Sequence, residues 1–252
     1  MSYSHDERLA LCALLEKTGP DAPTLCEGWD TGDLAAHLVL RERRPDAAGG
    51  ILGGPLARYT TRVQNRLRHR MSFADLVQAI RSGPPRLSVM ALPGVDERAN
   101  AVEFFVHHED VRRAAGDWAP REISSGESDM LWQRLRMARF LLRRAPVGVE
   151  LAREGTDVGG VSPDGPAYRI TAKNATPAVT VIGSPAELTL WAMGRTTAAK
   201  VRFDGIEAAV NKLTEANWRL KPGGAPQAPI SRFILASSSS MSWEFGVVGR
   251  DA

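Results

Sequence analysis

Glu103 and His107 stand four residues apart in Ala101-Val-Glu-Phe-Phe-Val-His-His-Glu-Asp110. Four residues make about one turn of helix, so both side chains share a face. A carboxylate and an imidazole stacked this way can grip one divalent cation. Metal chemistry with an open coordination position asks for three protein ligands, and two histidines with one carboxylate form a recognised zinc set. His37, flanked by Leu34, Leu38 and Val39 in a separate helical stretch, is the candidate third ligand. Each residue also has a plainer reading: Glu103 and His107 as an i,i+4 surface pair, His37 as a hydrogen-bonded core histidine. His108 is offset by about 100° around the helix and is expected to face away. Asp110 lies near the His107 face and can orient that ring as a hydrogen-bond acceptor; the alternative is an ion pair with Arg112 or Arg113. Cys26 has no base near it in the sequence and reads as a buried structural thiol rather than a nucleophile.

The elements that must position these residues follow from periodicity. Leu9, Cys12, Ala13 and Leu15 recur at helical steps between His5 and Lys17, and Gly19-Pro20 ends the run. A Pro- and Gly-punctuated loop, 21–30, carries Leu25 and Trp29, apolar residues suited to plugging the mouth of a core. Thr31 is the expected N-cap of a second helix, with Asp33 in its first turn and Pro45 as its stop. Helical periodicity resumes from Ala57 to His69. Ser72 with Asp75 opens a short helix to Ile80. A third major helix spans Asp96 to Ala115, and a fourth Glu127 to Arg144. The irregular stretches 45–57 and 83–95 are expected to frame an opening above the ligand group.

At Pro146 the pattern changes. Val147–Ala152, Tyr168–Ala172 and Val179–Ile182 are short β-rich runs separated by turn residues. Ser184-Pro185 caps a helix to Met193, Lys200–Phe203 reads as a strand, and Ile206–Ala216 as a closing helix. The expected fold class is α plus α+β: a four-helix bundle over residues 1–146 and a small α+β domain over 147–218. Residues 219–252, low in complexity and carrying four serines at 237–240, read as a flexible tail.

Composition excludes several function classes. Lys and Arg total 32 against 29 Asp and Glu, an excess too small and too dispersed to suggest a nucleic-acid partner. Two cysteines without Cys-x-x-Cys spacing are too few for a disulfide scaffold and read as reduced thiols of a cytoplasmic protein. Neither a signal peptide nor a membrane-spanning run is visible. A monomer and a dimer fit equally well.

Thr24-Leu-Cys-Glu-Gly-Trp29, Asp33-Leu-Ala-Ala-His-Leu38 and Glu103-Phe-Phe-Val-His-His-Glu-Asp110 together resemble the N-terminal domain of the mycothiol-dependent maleylpyruvate isomerase family, which has the DinB-like bundle. Val179 to Leu213, with Trp191-Ala-Met-Gly-Arg195, is similar to that family's smaller C-terminal domain. Arg41-Glu-Arg-Arg-Pro45 and Val106-His-His-Glu-Asp-Val-Arg112 resemble most closely an actinobacterial branch whose reaction is not established. The resemblance implies that His37, Glu103 and His107 hold a divalent metal, zinc in the first place, although the same ligands admit iron, manganese or nickel. It also implies mycothiol as cosubstrate. The expected function is a metal- and mycothiol-dependent transferase or cis–trans isomerase acting on a small electrophile. Arg195, whose planar fork suits carboxylates, is the candidate for a substrate anion, against the alternative of a solvated arginine. A different class of function, a metal- or thiol-binding sensor or interaction module without turnover, uses the same site.

Overall fold

The structure, a computed structural model, describes residues 2–52, 54–85, 95–154 and 168–215. Residues 86–94 of the expected irregular stretch 83–95, and the whole expected tail 219–252, lie outside the described residues.

Helix α1 (Tyr3–Thr18) starts on Ser2, whose hydroxyl accepts from His5 N–H, and ends at Gly19, whose φ of 79° lets its N–H return to Leu15 O. Helix α2 (Thr31–Arg43) is capped by Asp30 rather than Thr31. Asp30 accepts from Asp33 N–H at 2.7 Å, and Asp33 accepts back from Asp30 N–H, a reciprocal capping box. Thr31 instead ties the preceding loop, donating to Gly19 O and accepting from Ala22 N–H. Pro45 does more than end α2: it occupies the first turn of a short α3 (Pro45–Ala48), which runs into a single tight turn, Gly49–Leu52. Much of the stretch expected to be irregular is thus helical.

Helices α4 (Ala57–Arg70) and α5 (Phe73–Arg81, capped by Ser72) follow, then the long α6 (Val95–Ala114). The expected fourth helix is broken into α7 (Ser125–Leu135) and α8 (Ala138–Leu142). At Arg136, Met137 and Phe140 the amides bond back three residues instead of four. This tightened turn lets Ala138 and Leu142 join the same apolar cluster as Leu135.

Strands β1 (Gly148–Arg153), β2 (Arg169–Lys173), β3 (Ala178–Gly183) and β4 (Arg202–Asp204) form a mixed sheet in the order β2-β1-β3-β4. β1 and β3 are parallel; the other pairs are antiparallel. Helices α9 (Pro185–Ala192) and α10 (Glu207–Glu215) contribute Leu188, Trp191, Ala209 and Leu213 to a core with Val149, Leu151, Val179 and Val181. Fully burying each of these leucines and valines contributes roughly 1.5–3 kcal/mol. The described chain is therefore helical at its N-terminal side, with a small four-stranded mixed sheet behind it.

The turn at residue 146 lies between α8 and β1, yet apolar packing is continuous across it. Val102, Phe105 and Val106 of α6 meet Ala186 and Leu190 of α9 and Met193 at its C-terminal end, while Phe104 and Val111 face Leu11, Leu15 and Leu38 of α1 and α2. Helix α6 is consequently enclosed on all sides from Asn100 to Val111. A helix enclosed all round is ordinarily apolar; this one carries Asn100, Glu103, His107, His108, Glu109 and Asp110 inside. Buried polar residues need partners, and those partners define the site.

Candidate metal centre

His37 and Glu103 approach from α2 and α6, and His107 stands one turn beyond Glu103. Their side chains are 2 %, 1 % and 0 % exposed, which excludes the solvated i,i+4 pair as a reading. His37 Nε2 lies 3.5 Å from Glu103 Oε1, and His107 Nε2 lies 3.3 Å from the same oxygen. The ligand atoms of all three residues fall within 4.8 Å of one another. Donors held about 2.0–2.2 Å from one tetrahedral ion are themselves roughly 3.3–3.6 Å apart, so the spacing fits such an ion. The hydrogen-bond pattern fits as well: His107 Nε2 and both carboxylate oxygens of Glu103 are buried without a hydrogen-bond partner among the described residues. Unsatisfied buried donors and acceptors are costly, and a shared cation would satisfy all of them.

The surroundings set charge and orientation. Burial works against the Glu103 carboxylate, but the nearby Arg41 guanidinium and the imidazoles of His107 and His37 facing it outweigh burial and hold its carboxyl well below the usual range. Burial pushes the His37 imidazolium down toward the neutral, ligating form. Trp29 covers His37, ring centroids 5.1 Å apart, so the apolar loop residue expected to plug a core closes over the ligand group itself.

Asp110 meets His107 as the spacing suggested: Oδ2 is 2.9 Å from Nδ1. Burial works against the His107 imidazolium, but Asp110, Cys26 and Glu103 outweigh it and hold its pKa well above the usual range; an ion at Nε2 would displace the proton there, while Asp110 keeps the one on Nδ1. The alternative pairing with Arg112 or Arg113 is not made. Both arginines bind Glu109, and Arg113 also bridges to Glu187 at 2.6 Å and 2.9 Å, clamping α6 to α9. His108 turns away and meets Glu7 Oε2 at 2.9 Å.

Arg195 is neither solvated nor open. It is 8 % exposed, and its fork lies on Asp110, Nε to Oδ1 at 2.8 Å and Nη2 to Oδ2 at 2.6 Å. A substrate anion would have to displace that carboxylate. Cys26 departs from its reading as a buried structural thiol. It is only half-buried, its Sγ donating to Asp110 Oδ2 at 3.2 Å and lying 3.9 Å from His107 Nδ1 and 3.5 Å from Arg195 Nη2. Sequence separations of 81 and more residues gave no signal for this contact. Cys26, His107 and Asp110 form a second group of potential ligand atoms within 4.8 Å, but the bidentate Arg195 already neutralises its carboxylate. Arg41 is the other residue that sequence reasoning passed over; its position one turn after His37 was the available signal.

No described helix is long and apolar enough to cross a membrane. No curated protein and no solved structure matches the chain. Residues 2–119 match the family described as the mycothiol maleylpyruvate isomerase N-terminal domain. The stretch that supplies Cys26, His37, Glu103, His107 and Asp110 therefore belongs to the mycothiol maleylpyruvate isomerase N-terminal domain family.

Proposed function

We propose that His37, Glu103 and His107 hold one divalent cation, zinc in the first place, in a mycothiol-dependent enzyme that acts on a small electrophile by thiol transfer or cis–trans isomerisation. The observation that carries this reading is the convergence of His37 Nε2 and His107 Nε2 on Glu103 Oε1, all three buried, in a domain of a mycothiol-associated family. In this reading α1, α2, α6 and the α7–α8 pair are the four helices of a DinB-like bundle. Residues 147–218 correspond to the family's smaller C-terminal domain, and the protein works in the cytoplasm.

A bound divalent ion supplies Lewis acidity that lowers a thiol's pKa, so that a thiolate exists near neutral pH. The chain's own residues do the rest. Asp110 keeps the His107 proton on Nδ1 and the ring in one orientation. Arg195 holds Asp110 in place from α9's C-terminal end and acts through it. Trp29 shields the His37 side from water. The thiolate sulfur then forms a carbon–sulfur bond with the substrate. In transfer, the displaced electron pair leaves with the departing group or takes up the thiol's proton. In isomerisation, rotation about the former double bond is followed by elimination of the same thiolate, with no net redox change.

The test is metal analysis of the purified protein beside the His37→Ala, Glu103→Ala and His107→Ala variants. Metal retained at the wild-type level in all three means that the ligands are misassigned. Thiol-dependent loss of an electrophile, abolished in His37→Ala and His107→Ala, supports the enzyme. Metal and thiol binding without turnover across a broad electrophile panel supports the sensor or interaction module instead.

A further inference from the structure

Arg41 stands one turn beyond His37 on α2, so the helical step that aligns Glu103 with His107 also brings a guanidinium to the ligand group. Its side chain is nearly buried, and Nε lies 3.4 Å from Glu103 Oε1. Nη1 donates to Asn100 Oδ1 on α6. Asn100 Nδ2 donates in turn to Glu42 Oε1 at 3.2 Å, and Glu42 is gripped by Arg8 at 2.7 Å and 2.8 Å. This buried chain ties α1, α2 and α6 together and fixes where the Arg41 charge sits.

Leaving the ion itself aside, and with both imidazoles in their ligating form, the charges nearest the centre cancel. Glu103 and Glu42 are balanced by Arg41 and Arg8, Asp110 is balanced by Arg195, and ligating imidazoles are neutral. A two-histidine, one-glutamate site with no arginine would use its carboxylate to offset half of a divalent charge. Here Arg41 has already used it. The loaded centre therefore carries the full charge of the ion in a buried setting, where uncompensated charge is costly.

We propose that Arg41 is the specificity-determining residue of this centre: its guanidinium, beside Glu103, makes the remaining coordination position select an anionic donor, a thiolate or carboxylate, over neutral water. The inference rests on the metal reading above. It has a second consequence of opposite sign: a fixed cation beside the ion repels it, so removing the charge leaves metal binding equal or tighter while anion binding weakens.

The experiment loads the full chain and its Arg41→Gln and Arg41→Lys variants with Co²⁺, measures metal content by mass spectrometry, and titrates azide by visible absorption. Expected is stoichiometric cobalt in all three, with azide bound at similar strength by wild type and Arg41→Lys. Arg41→Gln binds azide at least about tenfold more weakly, the scale of one charge–charge interaction over several ångströms at an effective dielectric constant near 20. Equal azide affinity in Arg41→Gln and wild type overturns the proposal. Loss of cobalt from Arg41→Gln alone also overturns it, because Arg41 would then only support Glu103. Wild type without cobalt removes the metal reading and this proposal together, a result distinct from either of the others.

Discussion

Asp110 accepts from His107 Nδ1 at 2.9 Å with the same oxygen, Oδ2, that Arg195 Nη2 approaches at 2.6 Å. One carboxylate thus links the ligand helix α6 to the residues that follow α9, and anything that moves Arg195 is felt at His107. Asp110→Asn keeps the shape but loses the charge and with it the fixed Nδ1 proton. Metal affinity is expected to fall about 10–100-fold, measured by competition with a chromophoric chelator, whereas an affinity equal to wild type would remove Asp110 from any role at the centre.

Removing the other partner should cost stability instead. Arg195→Ala leaves a fully buried Asp110 carboxylate with only His107 and Cys26 as partners. Breaking a buried ion pair in this way costs about 3–5 kcal/mol, readable as a lower denaturant midpoint. A loss below about 1 kcal/mol, the scale of a surface pair, contradicts the buried geometry.

The two cysteines should separate cleanly under native alkylation. Cys12 is fully buried, donates to Val77 O, and burial pushes its thiol up to about 11. Cys26 is half-buried beside His107 and Arg195. Peptide mapping after brief iodoacetamide treatment is expected to find label on Cys26 alone, with Cys12 labelled only after unfolding. Equal rates at the two positions contradict this packing.

Glu127 should make stability depend on pH near neutrality. Burial, reinforced by the neighbouring charge of Glu7, pushes its carboxyl up to about 7, against the opposing pull of Arg121. Its folded pKa is raised above the unfolded value, so its contribution is fully present below about 4.5 and is lost as pH rises through about 7. Denaturant titrations at pH 5 and pH 8 are expected to show a smaller difference for Glu127→Gln than for wild type, with the variant the more stable at pH 8. An unchanged difference would falsify the assignment.

Gly148→Ala tests the entry to the sheet. A Cβ there would collide with the carbonyl oxygen of Ala175 and press on Ala178 Cβ, and backbone cannot swing aside as a long side chain can. Overpacking of this kind costs about 1–3 kcal/mol, so thermal unfolding should move down by several degrees.

Much of this protein is legible in its residues taken in order. The first helix, the Ser72–Asp75 and Ser184–Pro185 starts, and the β-rich runs around 149, 170 and 180 are elements that the structure contains, because caps, turns and periodicity act within a few residues; the stripe expected on the first helix is only half right, since Cys12 and Leu15 are buried with Leu11 while Leu9 and Ala13 face solvent. Glu103 and His107 were visible for the same reason: a helix fixes the relation between positions four apart. The Asp30 cap, the helical continuation from Pro45 and the break at Arg136–Met137 were not, since each was settled by competition between neighbouring local bonds or by which side chains could reach a core. What only the tertiary structure decided is the burial of α6 on every side. That burial turns an ordinary helical pair into a desolvated ligand group, brings His37 to it from another helix, places Cys26 and Arg195 on Asp110, and sets Arg41 against Glu103. Contacts between residues 60 to 170 positions apart depend on how whole faces pack, and packing is a property of the assembled core rather than of any stretch of chain.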